Sequence, residues 1–97
     1  MKANDGTEIR LELTWRKLYQ LEKDDPDAFN TYTQAVSAME VKPNEMDAVR
    51  ILYTGYLCAM IGAKEKPVPF EEFLDLLPLD HLATLNEYVM LYRGKKK

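Results

Sequence analysis

The sequence predicts an all-α protein, a compact bundle of about five short helices, on three observations. Apolar residues recur at spacings of three and four, helix-capping residues stand ahead of those stripes, and Pro or Gly falls between them. With 97 residues and 46% apolar side chains, the chain is sized for a single domain, residues 1–97, whose core can form without metal or disulfide.

The first helix is expected from about Thr14 to Lys23, with Leu11, Trp15, Leu18 and Glu22 marking one face. Trp15 and Tyr19 read first as core. Ahead of it, Glu8-Ile9-Arg10-Leu11-Glu12-Leu13 alternates with period two, so residues 8–13 stand open between a short N-terminal β-strand and a helical lead. The sequence shows no second strand, so a strand here would find its partner on another subunit. Asp25 as N-cap and Pro26 at the first helical position begin the second helix. Phe29, Tyr32, Val36 and Met39 form its stripe, and Lys42-Pro43 ends it.

Asn44 caps the third helix, and Glu45 and Asp47 place negative charge in its first turn, where the helix dipole favours it. From Met46 to Ile61 this helix is apolar on most of its circumference, which implies burial on several sides, in the bundle centre or in a subunit interface. Gly62 fits its C-terminal cap. Pro69 opens a fourth helix, with Phe70, Phe73, Leu74 and Leu77 on one face and Glu71, Glu72 and Asp75 on the other, until Pro78 stops it. Asp80 caps the fifth, whose expected stripe is Leu82, Leu85, Val89 and Tyr92, with Gly94 at its end.

Charge is unevenly distributed. Four of the 13 Lys and Arg (Arg93, Lys95, Lys96, Lys97) fall in the last five residues, which leaves nine against 16 Asp and Glu in residues 1–92, a net charge of −7. An acidic body argues against nucleic acid, whose binding rests on Lys and Arg neutralising phosphates. The lone Cys58 can form no internal disulfide and suits a reducing cytosol. Met1 to Gly6 is polar with no apolar run behind it, so neither signal peptide nor anchor is expected. The longest apolar stretch, Ile51 to Ile61, is broken by Thr54 and Gly55 and falls short of the roughly 20 residues that cross a bilayer, so no membrane role is expected.

The inventory for chemistry is thin, and no enzyme is expected. His81, the one imidazole, follows an N-cap and reads as a solvent-side first-turn residue rather than a general base. Cys58, within Tyr56-Leu57-Cys58-Ala59-Met60, reads as a small hydrophobe. The carboxylates at Asp24, Asp25 and Asp27 and at Glu71, Glu72 and Asp75 lack the ligand spacing of a calcium loop, no His/Cys set suits zinc, and no glycine-rich phosphate loop occurs. Neither metal nor cofactor is expected. What remains is ten aromatic residues, six of them Tyr, a load that a small bundle buries only in part. Tyr53, Tyr56 and Met60 on the third helix, with Tyr88, Met90 and Leu91 off the stripe of the fifth, form the candidate partner or self-association surface; the bland alternative is that both helices are simply central.

Ile9-Arg10-Leu11, Thr14-Trp15-Arg16-Lys17-Leu18-Tyr19-Gln20-Leu21, Ile51-Leu52-Tyr53-Thr54-Gly55-Tyr56-Leu57-Cys58-Ala59 and Phe70-Glu71-Glu72-Phe73-Leu74-Asp75-Leu76-Leu77-Pro78, taken in that order, resemble the small tail assembly chaperones of siphophages and prophages of Gram-positive bacteria. The resemblance spans roughly residues 9–92 and rests on packing motifs, with no catalytic group among them. It implies a mostly helical, non-enzymatic protein of the bacterial host cytoplasm. Such a protein binds the long tape measure protein, keeps it soluble while tail tube protein polymerises, and is absent from the finished virion. It further implies self-association, contact with the major tail protein, and a longer form made by programmed ribosomal slippage. Arg93-Gly94-Lys95 and Gly94-Lys95-Lys96 can both be encoded by slippery heptamers, so the basic tail at 93–97 reads either as such a site or as a solvated lysine tail. A small helical head-tail connector that stays in the particle is the rival function.

Overall fold

The computed structural model describes residues 1–93, and for Arg93 the backbone alone. The rest of the basic tail, with the expected stop at Gly94, lies outside the described residues. Among the described residues five α-helices run in order: α1 (Trp15–Asp24), α2 (Pro26–Val41), α3 (Glu45–Ala63), α4 (Phe70–Leu76) and α5 (His81–Tyr88), the last passing into a π-helical turn, Val89–Arg93. The all-α bundle read from the sequence is the fold.

Local chemistry sets most of the boundaries. The side chains of Thr14, Asp25 and Asn44 accept the backbone N–H of Lys17 (3.2 Å), Ala28 (3.2 Å) and Asp47 (2.9 Å), and Asp80 accepts those of Leu82 and Ala83. Each such cap contributes about 1 kcal/mol by satisfying an N–H that the helix leaves open. The last carbonyls of α4 are met from far along the chain: Asn4 donates its backbone N–H to Leu76 (2.9 Å) and its side-chain amide to Asp75 (2.6 Å).

Gly62 is not the cap of α3. The helix runs on to Ala63, and Lys64 takes the left-handed conformation, φ 58°, with the Glu65 N–H reaching back to the Met60 carbonyl (3.0 Å). The two bonds from residues 64 and 65 satisfy the terminal carbonyls as a glycine-ended helix would. Gly62 is exposed, and a Cβ there would first meet the flexible ammonium end of Lys17, which pairs with Glu12 at 2.9 Å.

Helix α3 is the axis of the bundle. It contacts α1, α2, α5 and the π turn, and Ile51, Leu52 and Cys58 on it are fully buried. Its apolar circumference is thus explained by burial at the centre. Helix α4 is held onto α3 by rings: Phe73 lies 5.1 Å from Tyr53 and 5.2 Å from Tyr56, and Phe70 stands edge-on to Tyr53 at 5.2 Å. Aromatic pairs at these separations add about 1 kcal/mol each beyond the area they bury.

Residues 8–13 are not a strand, and their partner lies in the same chain. Lys2 and Glu8 form a single antiparallel bridge, closed by a turn in which Gly6 adopts φ 90°. The Ala3 N–H donates to Thr7 (2.7 Å) and the Ile9 N–H to Met1 (2.6 Å). The period-two pattern is nevertheless real, because Ile9, Leu11 and Leu13 turn inward while Arg10 and Glu12 face solvent. The segment runs extended across α3, with the Glu12 N–H donating to the Gly55 carbonyl at 3.0 Å.

Two further expectations are corrected. Helix α5 does not bury Leu82 and Val89, which are 77% and 44% exposed; it turns Thr84, Leu85 and Tyr88 to the bundle, followed by Leu91 and Tyr92 of the π turn. The Tyr88 ring covers more apolar surface than either aliphatic residue, and it stacks on Tyr92 at 5.8 Å, which fixes the helix rotation. On α1, Leu18 and Leu21 are the buried residues, and Trp15 and Tyr19 lie to one side at 87% and 60% exposure.

Candidate partner-binding grooves

The reactive groups are placed by the same packing. Cys58 lies in the fully buried face of α3, where burial pushes its thiol up to about 11, so it stays protonated at neutral pH. His81 sits on the exposed first turn of α5 with Nδ1 3.2 Å from a Glu45 carboxylate oxygen. Among the described residues, no three His, Cys, Asp or Glu converge as metal ligands, and no helix is long and apolar enough to cross a membrane. Every buried side-chain N or O among them has a hydrogen-bond partner.

The six residues expected to form a contact surface do not form one. Tyr56 and Tyr88 are buried, 7% and 5% exposed, and belong to the core against α4 and α3. That correction follows from ring packing: Tyr56 lies 5.2 Å from Phe73 of α4, and Tyr88 stacks on Tyr92 at 5.8 Å. Tyr53 is half-buried, its hydroxyl spent on the Val68 carbonyl. Met60 and Leu91 are half-buried as well. Only Met90 is mostly exposed, at a shallow hollow with Leu91, Glu87 and residues 8–12.

The large apolar side chains that do reach solvent lie elsewhere: Trp15, Tyr19, Val41, Met46, Leu79, Leu82 and Val89. Three of them, Trp15, Met46 and Leu79, line two open grooves. The first, about 580 Å³, runs between α1, α2 and the π turn, with Phe29, Tyr32, Val36 and Tyr92 in its walls and Trp15 at its mouth. Burial pushes the Tyr32 hydroxyl up to about 12, so it stays protonated at physiological pH.

The second groove, about 290 Å³, lies where the start of α3 meets the α4–α5 corner. Its walls are Met46, Val49, Leu74, Leu77 and Leu85, with Leu79 standing out at 88% exposure. Its polar edge is the Glu45–His81 pair. The proline at 78 explains the corner: α4 ends, the chain turns, and Leu79 has no helix to fold against before Asp80 caps the next one.

The signal for these sites was present in the sequence but weak. Trp15 and Tyr19 share one side of α1, four residues apart and away from Leu18 and Leu21, as an exposed i, i+4 pair does. Leu79 stands between Pro78 and Asp80, outside any periodic stripe. Compared with family models, with curated proteins and with solved structures, the chain matches none.

Proposed function

We propose that this protein is a phage tail assembly chaperone, a binding protein that holds the tape measure protein soluble in the bacterial host cytoplasm while the tail tube assembles and that leaves before the virion is complete. The observation that carries the reading is the pair of open apolar grooves lined in part by exposed Trp15, Met46 and Leu79. Contiguous apolar surface of this kind on a small domain is a partner site, and Trp and Tyr are the residues that dominate such contacts. A long helical client is met by grooves that take one face of a helix, and two grooves on one chaperone allow many copies to line up along it. Self-association, contact with the major tail protein, and a slippage-extended long form follow from the same reading, and the order of packing motifs from Ile9 to Pro78 supports it.

Co-expression with a tape measure fragment tests it. The fragment moves to the soluble fraction in complex with the chaperone, and the complex is lost when Trp15, Tyr19, Met46 and Leu79 are all made polar. A fragment equally insoluble with and without the protein, with no complex, overturns the assignment. Recovery of the protein from purified virions in ring stoichiometry makes it a connector instead.

A further inference from the structure

Helix α1 buries Leu18 and Leu21 and leaves its opposite face without a partner. Trp15, Tyr19 and Lys23 follow one another at i, i+4 and i+8, and Arg16 joins the last two at i, i+3 and i+7, so the four share one exposed face. The Lys23 ammonium stands over the Tyr19 ring, 5.0 Å from its centroid. Neither Lys23 nor Arg16 has a carboxylate partner among the described residues, whereas Lys17 is taken up by Glu12. Glu22 lies on the other flank of the two rings, at i+7 from Trp15 and i+3 from Tyr19. Two unpaired cations thus edge two exposed rings on a body whose net charge over residues 1–92 is −7. A complementary face lies on the same chain. Helix α4 turns Phe73 into the core and Glu71, Glu72 and Asp75 to solvent, and none of these carboxylates is ion-paired among the described residues. Exposed Leu79 follows, no more than about 14 Å of chain from Asp75.

We infer that the outer face of α1 is a docking surface for a second copy of this chain, which seats the outer face of its α4 there, Arg16 and Lys23 meeting Glu71, Glu72 and Asp75 while Trp15 and Tyr19 cover Leu79. Charge complementarity selects this occupant. Each helix carries on its exposed face the charge that the other lacks, and each places it by its own helical spacing. Setting α1 on α1, or α4 on α4, opposes like charges, so the contact is between unlike faces and every copy gives one and receives the other. The rings supply the apolar area of the contact, and the charges supply its register and on-rate. The inference rests on the reading of the protein as a self-associating chaperone and names the surfaces that meet.

Sedimentation of the whole protein, with no client present, tests it at about 50 and about 300 mM salt. Association is expected at the lower salt and weakens at least about tenfold at the higher. Emission from Trp15, the one tryptophan, moves to the blue as concentration rises. Arg16→Glu with Lys23→Glu gives a monomer, and so does Glu71→Lys with Asp75→Lys. The two variants shift net charge in opposite directions, so general repulsion does not explain both. Mixed in equal amounts they pair, because each keeps the face that the other has lost, and that pairing shows both to be folded. Trp15→Ser weakens association of the otherwise unaltered chain about tenfold, whereas Met46→Gln leaves it unchanged. A parent that stays monomeric at about 1 mM protein and low salt overturns the inference. So does association that survives either pair of reversals, or a mixture in which both variants remain monomeric. A monomer that still solubilises the tape measure fragment leaves the chaperone reading standing without this interface, and an associating protein that leaves the fragment insoluble does the reverse.

Discussion

Tyr53 and Tyr56 hold the same residue, Val68, by its two backbone polar groups. The Tyr53 hydroxyl donates to the Val68 carbonyl at 2.7 Å, and the Val68 N–H donates to the Tyr56 hydroxyl at 3.0 Å. The residues lie three apart on α3, so one helix face pins the whole connection to α4, whose Phe70 and Phe73 then close on the same two rings. Tyr53→Phe is expected to cost about 1 kcal/mol, and Tyr56→Phe about 1–2 kcal/mol because it strands a partly buried N–H. The double substitution costs less than the sum, since either one alone loosens Val68. Urea unfolding of the four proteins checks this; strict additivity would mean that the two hydroxyls act independently.

The rotation of α5 gives the second prediction. Tyr88 is 5% exposed and Leu82 is 77% exposed. Tyr88→Ala is therefore expected to cost about 3–5 kcal/mol, as large aromatic truncations in cores do. Leu82→Ala should stay within about 0.5 kcal/mol of the parent. Thermal or urea denaturation of both variants decides it, and the reverse ordering would restore the Leu82, Val89 face.

Legibility followed the kind of interaction. Asp25, Asn44 and Asp80 cap helices through contacts within three residues, and Phe29, Tyr32, Val36, Phe73 and Leu74 keep to stripes that local spacing defines. Those were readable. The face of α5 was not, because the expected Leu82, Leu85, Val89 and Tyr92 and the observed Thr84, Leu85, Tyr88, Leu91 and Tyr92 are both consistent with a helical period, and only contact with the rest of the bundle chooses between them. Residues 8–13 showed their alternation but not its cause, which is the Gly55 carbonyl more than 40 positions away. The grooves were hidden for a related reason: an apolar side chain left over by packing, such as Trp15 or Leu79, looks in sequence like one that packing uses.

Gly55, buried on α3, leaves no room for a Cβ against the π turn. A Cβ there would stand 2.7 Å from Leu91 Cδ2, while the Glu12 backbone would be at an ordinary 3.7 Å. The obstacle is a side-chain tip, so the clash belongs to Leu91 alone. Gly55→Ala is expected to destabilise by about 1 kcal/mol, overpacking outweighing the gain in helix propensity. In a Leu91→Ala background the same change should be neutral or stabilising, because propensity of about 1 kcal/mol then acts unopposed. A double-mutant cycle measures the coupling. Equal effects in both backgrounds would show that the Glu12 backbone, not Leu91, is what Gly55 accommodates.

Cys58 makes the protein alkali-sensitive through its burial. Its thiol is raised from 9.0 to about 11 by desolvation, so between those values the unfolded chain releases a proton that the native one keeps. The unfolded state then binds fewer protons, and stability must fall as pH rises through that window, by up to about 1.4 kcal/mol per unit. Below pH 9 both states hold the proton and the thiol adds no slope. Tyr32, raised to about 12 from 10.0, contributes in the same direction but only above pH 10. The contrast is therefore read between pH 9 and 10, where Cys58→Ala should retain about 1 kcal/mol that the parent loses, whatever constant offset the missing sulfur introduces. Urea midpoints at pH 8, 9 and 10 for the two proteins provide the measurement, and parallel profiles would mean that the thiol ionises in the native state and is not sealed in the core.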